Sequence, residues 1–150
     1  MAFGPPEYEG SPLHGMDFSW LAVDRDGHVA WLVTFGSAVL PPWVEKDADA
    51  FDNVESSLRR LPEQGAASSS ETSRYIQEWV EAARRGVFGY DWEVHSGPYR
   101  IVATPKAPLE VSGLPSALAS LARRTRFEHL CFQESPRLQV SDIVACKSGS

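Results

Sequence analysis

The sequence predicts an α+β fold, a mainly antiparallel β-sheet built from hairpins with two to three helices packed on it. Three observations predict it. Two aromatic-rich apolar runs, Phe18 to Val23 and His28 to Phe35, flank the four turn-forming residues Asp24-Arg25-Asp26-Gly27. A second pair of runs, "VFGYDWEV" and "PYRIVATP", flanks His95-Ser96-Gly97-Pro98. Between the pairs lie two stretches whose apolar residues recur at helical spacing. The resulting order, ββ-α-α-ββ-α-β(β), lacks the regular alternation of a parallel Rossmann-like sheet.

In the first hairpin, Phe18, Trp20 and Ala22 share one face and Ser19, Leu21 and Val23 the other, so the hairpin is expected to lie centrally with both faces covered. Its second strand carries the heavier face through Val29, Trp31, Val33 and Phe35. The segment "VLPPWVEKDADAFDNVESSLRRLP" reads as a rigid Pro41-Pro42 loop and then one helix. Asp47 or Asp49 caps that helix, Phe51, Val54, Leu58 and Leu61 form its apolar stripe, and Pro62 ends it. "EQGAASSS" reads as a flexible connector over residues 63–70. Ser70 with Thr72 or Ser73 then caps a second helix to Arg85, with Tyr75, Ile76, Trp79, Val80 and Ala83 turned inward, and Gly86 stops it.

Next, Phe88, Tyr90, Trp92 and Val94 alternate with Val87, Gly89, Asp91 and Glu93, the pattern of a sheet with one exposed face. Pro105 and Pro108 interrupt the ladder before a short helix from about Pro115 to Arg124, where Leu114, Leu118 and Leu121 face inward. Phe127 to Phe132 and Leu138 to Val144 are the expected closing strands. Residues 1–150 read as a single domain with a flexible arm at 1–15 and a flexible tail at 147–150. A hydrophobic fraction of 43%, with five tryptophans and seven phenylalanines, is enough for one core.

The net charge of −6 is unevenly distributed: residues 1–57 carry ten acids against two bases, and the remainder a small excess of base. An acidic front is ill suited to direct nucleic-acid binding, which needs clustered Lys and Arg, and suits a basic protein partner. No apolar run is long enough to span a membrane, and the opening residues carry Glu7, Glu9 and Asp17 with no basic start, so the expected location is cytoplasmic. Cys131 and Cys146 are too few for a disulfide framework and read as reduced thiols.

Asp24-Arg25-Asp26-Gly27 resembles the opening of a calcium loop, but Gly27 runs at once into an apolar strand, and hairpin-turn chemistry accounts for the motif. His14, His28, His95 and His129 have no metal-motif spacing, and neither a nucleophile elbow nor a glycine-rich phosphate or dinucleotide loop is present. No metal and no cofactor are expected. The most informative feature is the acidic run Glu45, Asp47, Asp49, Asp52 and Glu55, which reads either as a solvated helix start favoured by the helix dipole or as an electrostatic lure for a basic surface with Trp43 and Phe51 beside it as aromatic anchors. Asp24 and Asp26 at the hairpin tip are secondary candidates.

The stretch "WLAVDRDGHVAWLVTFGSAVLP", followed by "GVFGYDW", "PYRIVATPKAPLEVSGLPSAL" and "RFEHLCFQES", resembles small bacterial proteins, among them ones that resemble immunity proteins of polymorphic toxin systems. The shared features are an apolar run, a D-x-D-G turn, a second apolar run and a Gly-to-Pro exit. The resemblance implies a cytoplasmic, non-catalytic inhibitor that binds a cognate toxin domain and blocks its active site or substrate access. Two other readings come from the residues themselves: a small hydrolase or transferase using Asp91, Glu93 and His95, and a ligand-binding or adaptor domain using the tryptophans.

Overall fold

Apolar residues on both sides of the first hairpin require cover on both sides, and the computed structural model, which describes residues 17–35, 39–69, 74–93 and 99–149, provides it. Strands β1 (Asp17–Asp24) and β2 (Val29–Phe35) pair antiparallel from Asp17 opposite Phe35 to Val23 opposite Val29. The other strands are β3 (Ala67–Ser69), β4 (Phe88–Trp92), β5 (Tyr99–Pro105), β6 (Thr125–Phe127), β7 (Arg137–Leu138) and β8 (Lys147–Ser148). They join one sheet in the order β3-β5-β4-β2-β1-β6-β8, with β7 added beside β5, so the first hairpin is central as its pattern requires.

The sheet is mixed, which corrects the mainly antiparallel expectation: β2 runs parallel to β4 and β1 parallel to β6. A helical excursion of about fifty residues separates β2 from β4, long enough for the chain to cross over and return in the same direction. The helices are α1 (Pro42–Lys46), α2 (Val54–Arg59), α3 (Gln77–Arg84), α4 (Ser116–Arg123) and α5 (Val140–Ala145). The segment expected to be one helix divides into α1, a 3-10 turn at Ala48–Phe51 and α2. Proline at the first helical position starts the helix before Asp47, and Asp47 itself is non-helical at φ −121° with no side-chain cap bond. All four stripe residues, Phe51, Val54, Leu58 and Leu61, are nevertheless buried.

Further local corrections follow from tertiary pairing. Ala67–Ser69 of the expected connector pairs with β5, and Lys147–Ser148 of the expected tail pairs with β6. The first expected closing strand shortens to Thr125–Phe127, then gives way to a turn and a 3-10 turn at Phe132–Glu134, so Cys131 is buried outside any strand. The second becomes two residues of β7 followed by α5, where Asp142 and Gln139 form a reciprocal capping box. Tyr75, expected inside, is 78% exposed, while Ile76 and Ala83 are buried. The caps expected at Ser70, Thr72 and Ser73 and the turn at 95–98 lie outside the described residues.

On one side of the sheet, Trp20, Leu32, Phe88, Tyr90 and Tyr99 meet Phe127, Phe132, Leu138 and Ile143. Phe132 stacks at centroid distances of 5.7–5.9 Å on Phe88, Tyr90 and Phe127, in tilted or edge-on geometry. Two buried aromatic tips on this side find partners: the Tyr90 hydroxyl donates to the Ser135 carbonyl at 2.6 Å and the Trp20 indole to the Tyr99 hydroxyl at 3.2 Å. On the other side, Trp79 of α3 stacks on Trp31 at 6.1 Å and closes over Gly89. β4 therefore has no open face at Gly89, against the alternation expected of it. α4 packs along β1 through buried Leu118, Ala119 and Ala122.

Three buried acids, Cys131, Cys146 and Tyr90, titrate above their ordinary range, each chiefly because burial disfavours its charged form. Burial pushes the Cys146 thiol up to about 11, and burial with the Asp24 carboxylate nearby pushes the Tyr90 phenol up further. Above pH 9 an unfolded thiol loses its proton while folded Cys146 keeps it, so the unfolded state is favoured as pH rises. Stability is expected to hold below pH 9 and to fall by up to about 1.4 kcal/mol per pH unit per group toward pH 11, Tyr90 adding its share above about 10. Urea denaturation across that range tests this; a flat profile, or no change of slope in Cys146→Ser, would refute it.

Candidate functional site

The acidic residues singled out by the sequence acquire a shape from α2, α3 and the start of β1. Asp52, in the turn before α2, Glu55 of α2 and Glu78 of α3 line one cleft of about 200 Å³. Its remaining walls are Phe18, Ser19, Trp31, Val33 and Phe51. The cleft is thus apolar at its base and anionic at its rim, and Glu78 comes from a helix outside the acidic run. Glu55, Glu78 and Glu81 continue beside Arg59 and Arg85 along the seam between α2 and α3. Asp49, Asp52 and Glu78 have no ion pair among the described residues, whereas Glu55 is held by Arg59 one turn along the same helix. Glu45, Asp47 and Asp49 rim a neighbouring depression.

The two aromatic candidates differ in exposure. Phe51 is 3% exposed, edge-on to Phe18 at 5.9 Å with the Arg124 guanidinium 6.0 Å from its ring centroid. Trp43 is half-buried and donates its indole N–H to the Thr125 hydroxyl at 2.8 Å. Arg124 also pairs with Asp47 at 2.5 Å, fastening the acidic segment to the end of α4. Trp31 at the base of the cleft is 2% exposed, and its indole N–H has no acceptor among the described residues.

At the hairpin tip the question whether Asp24-Arg25-Asp26-Gly27 is a chemical site or a turn has a structural answer. Asp24 is 6% exposed. Its Oδ1 accepts the N–H groups of Asp26 and His28, each at 2.9 Å, and its Oδ2 accepts the N–H of Phe132 at 2.8 Å. Gly27 completes the turn at φ +83°, a conformation open to glycine. Ligand atoms of Asp24, Asp26 and His28 lie within 4.8 Å of one another, yet the buried carboxylate is taken up by three amides. Asp24 is therefore a buried structural clasp, and Asp26 is exposed.

Of the residues of the enzyme reading, Asp91 and Glu93 are among the described residues. Glu93 is bound by Arg137 at 2.6 Å and lies 3.9 Å from Arg100, Asp91 is half-buried, and His95 is outside the described residues. A groove of about 640 Å³ beside them holds an unforeseen pair, His129 to Asp142 at 3.0 Å. Asp142 also accepts the Gln139 N–H as a helix cap, and Ser135 in the same groove donates to the Cys131 carbonyl. The pair is a brace between the turn after β6 and α5. No sequence spacing links residues 129 and 142; only the fold brings them together.

Compared with models of protein families, with curated proteins and with solved structures, the chain matches none. No helix among the described residues is long and apolar enough to cross a membrane.

Proposed function

We propose that this protein is a non-catalytic binding protein that docks a basic protein surface on the acidic cleft between α2 and α3. The reading extends the resemblance to immunity proteins: the partner is a cognate toxin domain with a basic surface, neutralised stoichiometrically in the cytoplasm without a cofactor. The observation that carries it is the convergence of Asp52, Glu55 and Glu78 from separate turns and helices on one cleft with an apolar base. An anionic rim speeds encounter with a cationic partner, and an apolar base gives a docked side chain surface to bury. Glu45, Asp47 and Asp49 extend the same charge along the front edge.

The test is capture of the partner by the full chain from its native bacterium, followed by kinetics with the purified pair. The variant D49N/D52N/E78Q, altered only at exposed positions, is expected to bind on the order of tenfold more slowly and to lose most of the salt dependence of association. Unchanged association and salt dependence in a folded variant would overturn the acidic cleft as the docking face. Recovery of the chain alone while the toxin domain is expressed would overturn the immunity reading itself.

A further inference from the structure

Arginine accumulates at the opposite end of β1 from the acidic cleft. Arg25 on the hairpin turn, Arg123 at the end of α4 and Arg126 in β6 line a single cleft of about 330 Å³, closed by Val23, Val111 and Gly149. Ser19 and Val23, which line the acidic and the basic clefts, are separated by roughly 13 Å of extended strand. The two sites are therefore distinct, and the inference below does not rest on the proposed function.

We propose that this three-arginine cleft binds the phosphate group of a small phosphorylated ligand. Guanidinium groups from three separate elements can meet three oxygens of one tetrahedral anion, and their planar forks suit phosphate geometry. Arg123 has no ion pair among the described residues. Among the described residues Arg25 has Glu134 at 3.8 Å and the Cys131 sulfur at 3.6 Å, and Arg126 has Glu128 at 3.1 Å, and each of these acidic and basic side chains is about half exposed or more. Such exposed pairs are weak and yield readily to a ligand.

The strand pairing supplies a second argument. β6 and β8 are antiparallel with Arg126 directly opposite Lys147, and like charges directly opposite destabilise a ladder. Lys147 does not line the cleft, but an anion held there by Arg126 lowers the positive charge that Arg126 turns toward it. The acid in the lining, Asp24, does not compete for the arginines, because its oxygens are occupied by the amides of Asp26, His28 and Phe132. The volume exceeds that of a bare phosphate and falls at the small end of ligand sites, and two valines offer apolar contact to an organic body. Among the described residues no aromatic side chain lines the cleft on which a base could stack, and the chain carries a net charge of −6, so a nucleic-acid strand is disfavoured.

The experiment is a titration of the isotope-labelled full chain with inorganic phosphate and with ribose 5-phosphate, followed by NMR at constant ionic strength set with chloride. Saturable shifts are expected at the Arg123 and Arg126 Nε–H groups and at the Gly27 amide, with ribose 5-phosphate binding more tightly. R123Q/R126Q is expected to weaken binding by about tenfold or more while keeping the native spectrum elsewhere. D49N/D52N/E78Q is expected to bind phosphate as the parent does. Shifts reproduced by chloride, or unaffected by R123Q/R126Q, would overturn the proposal. A short oligonucleotide lacking terminal phosphate is the last arm; tighter binding by it, lost in R123Q/R126Q, would overturn the small-ligand assignment in favour of a strand.

Discussion

Asp24→Ala is expected to destabilise the protein by about 3–4 kcal/mol, because one buried carboxylate satisfies three backbone amides and each charge-assisted bond contributes about 1.5–3 kcal/mol before relaxation. The losses are unequal. The amides of Asp26 and His28 lie at the hairpin tip and can take up water, whereas the Phe132 amide is buried behind aromatic rings and would be left without a partner. Because Phe132 packs on Phe88, Tyr90 and Phe127, the effect should spread from the turn into the sheet's aromatic side. Asp24→Asn keeps one acceptor oxygen but places an NH₂ group among N–H donors, so an intermediate loss is expected. Asp26→Ala, at an exposed position in the same turn, should change stability by less than about 0.5 kcal/mol. Urea denaturation followed by tryptophan fluorescence reads all three. A loss below 1 kcal/mol in Asp24→Ala would mean that the clasp is a geometric coincidence.

Gly89→Val is expected to cost about 2–3 kcal/mol even though valine is the better strand former. A Cβ at Gly89 would stand 2.7 Å from Cδ1 and 3.0 Å from Cβ of Trp79. Trp79 cannot simply withdraw, because its indole N–H donates to the Tyr90 carbonyl at 3.0 Å and its ring packs on Trp31. The decisive measurement is a double-mutant cycle. In Trp79→Ala, itself destabilised by loss of that contact, the valine has room, so the double variant should be less destabilised than the two losses added, by about 1–3 kcal/mol. Additive losses would show that the helix does not press on the strand at this point. The two clefts give a further contrast: the acidic one depends on where α3 sits, and hence on Gly89, while the arginine cleft does not.

Local chemistry made much of the fold readable from the chain. Asp-Gly between apolar runs defined the first hairpin, the double-sided apolar pattern of Phe18 to Val23 placed it centrally, and the stripe Phe51, Val54, Leu58 and Leu61 marked a buried surface. Gly86 stops α3 at φ +97° as expected of a glycine after a helix. These features depend on neighbours within a few residues, and such interactions are written directly into sequence spacing. The acidic run was legible for the same reason.

What the sequence could not determine depended on partners distant in the chain. Ala67–Ser69 and Lys147–Ser148 carry little strand signal, and they are strands because β5 and β6 offer unpaired edges. The parallel pairings of β2 with β4 and of β1 with β6 arise from chain crossover, which apolar alternation does not encode. Gly89 reads as a weak point on an exposed face until Trp79 is placed on it. Asp24 reads as a local turn residue until Phe132, 108 residues away, donates to it. Glu78 joins Asp52 and Glu55, and Arg25 joins Arg123 and Arg126, only when the helices pack. The sequence by itself determined which segments carry charge and which carry apolar surface. Tertiary structure decided which of those residues meet, because burial and electrostatics act through space while periodicity reports only along the chain.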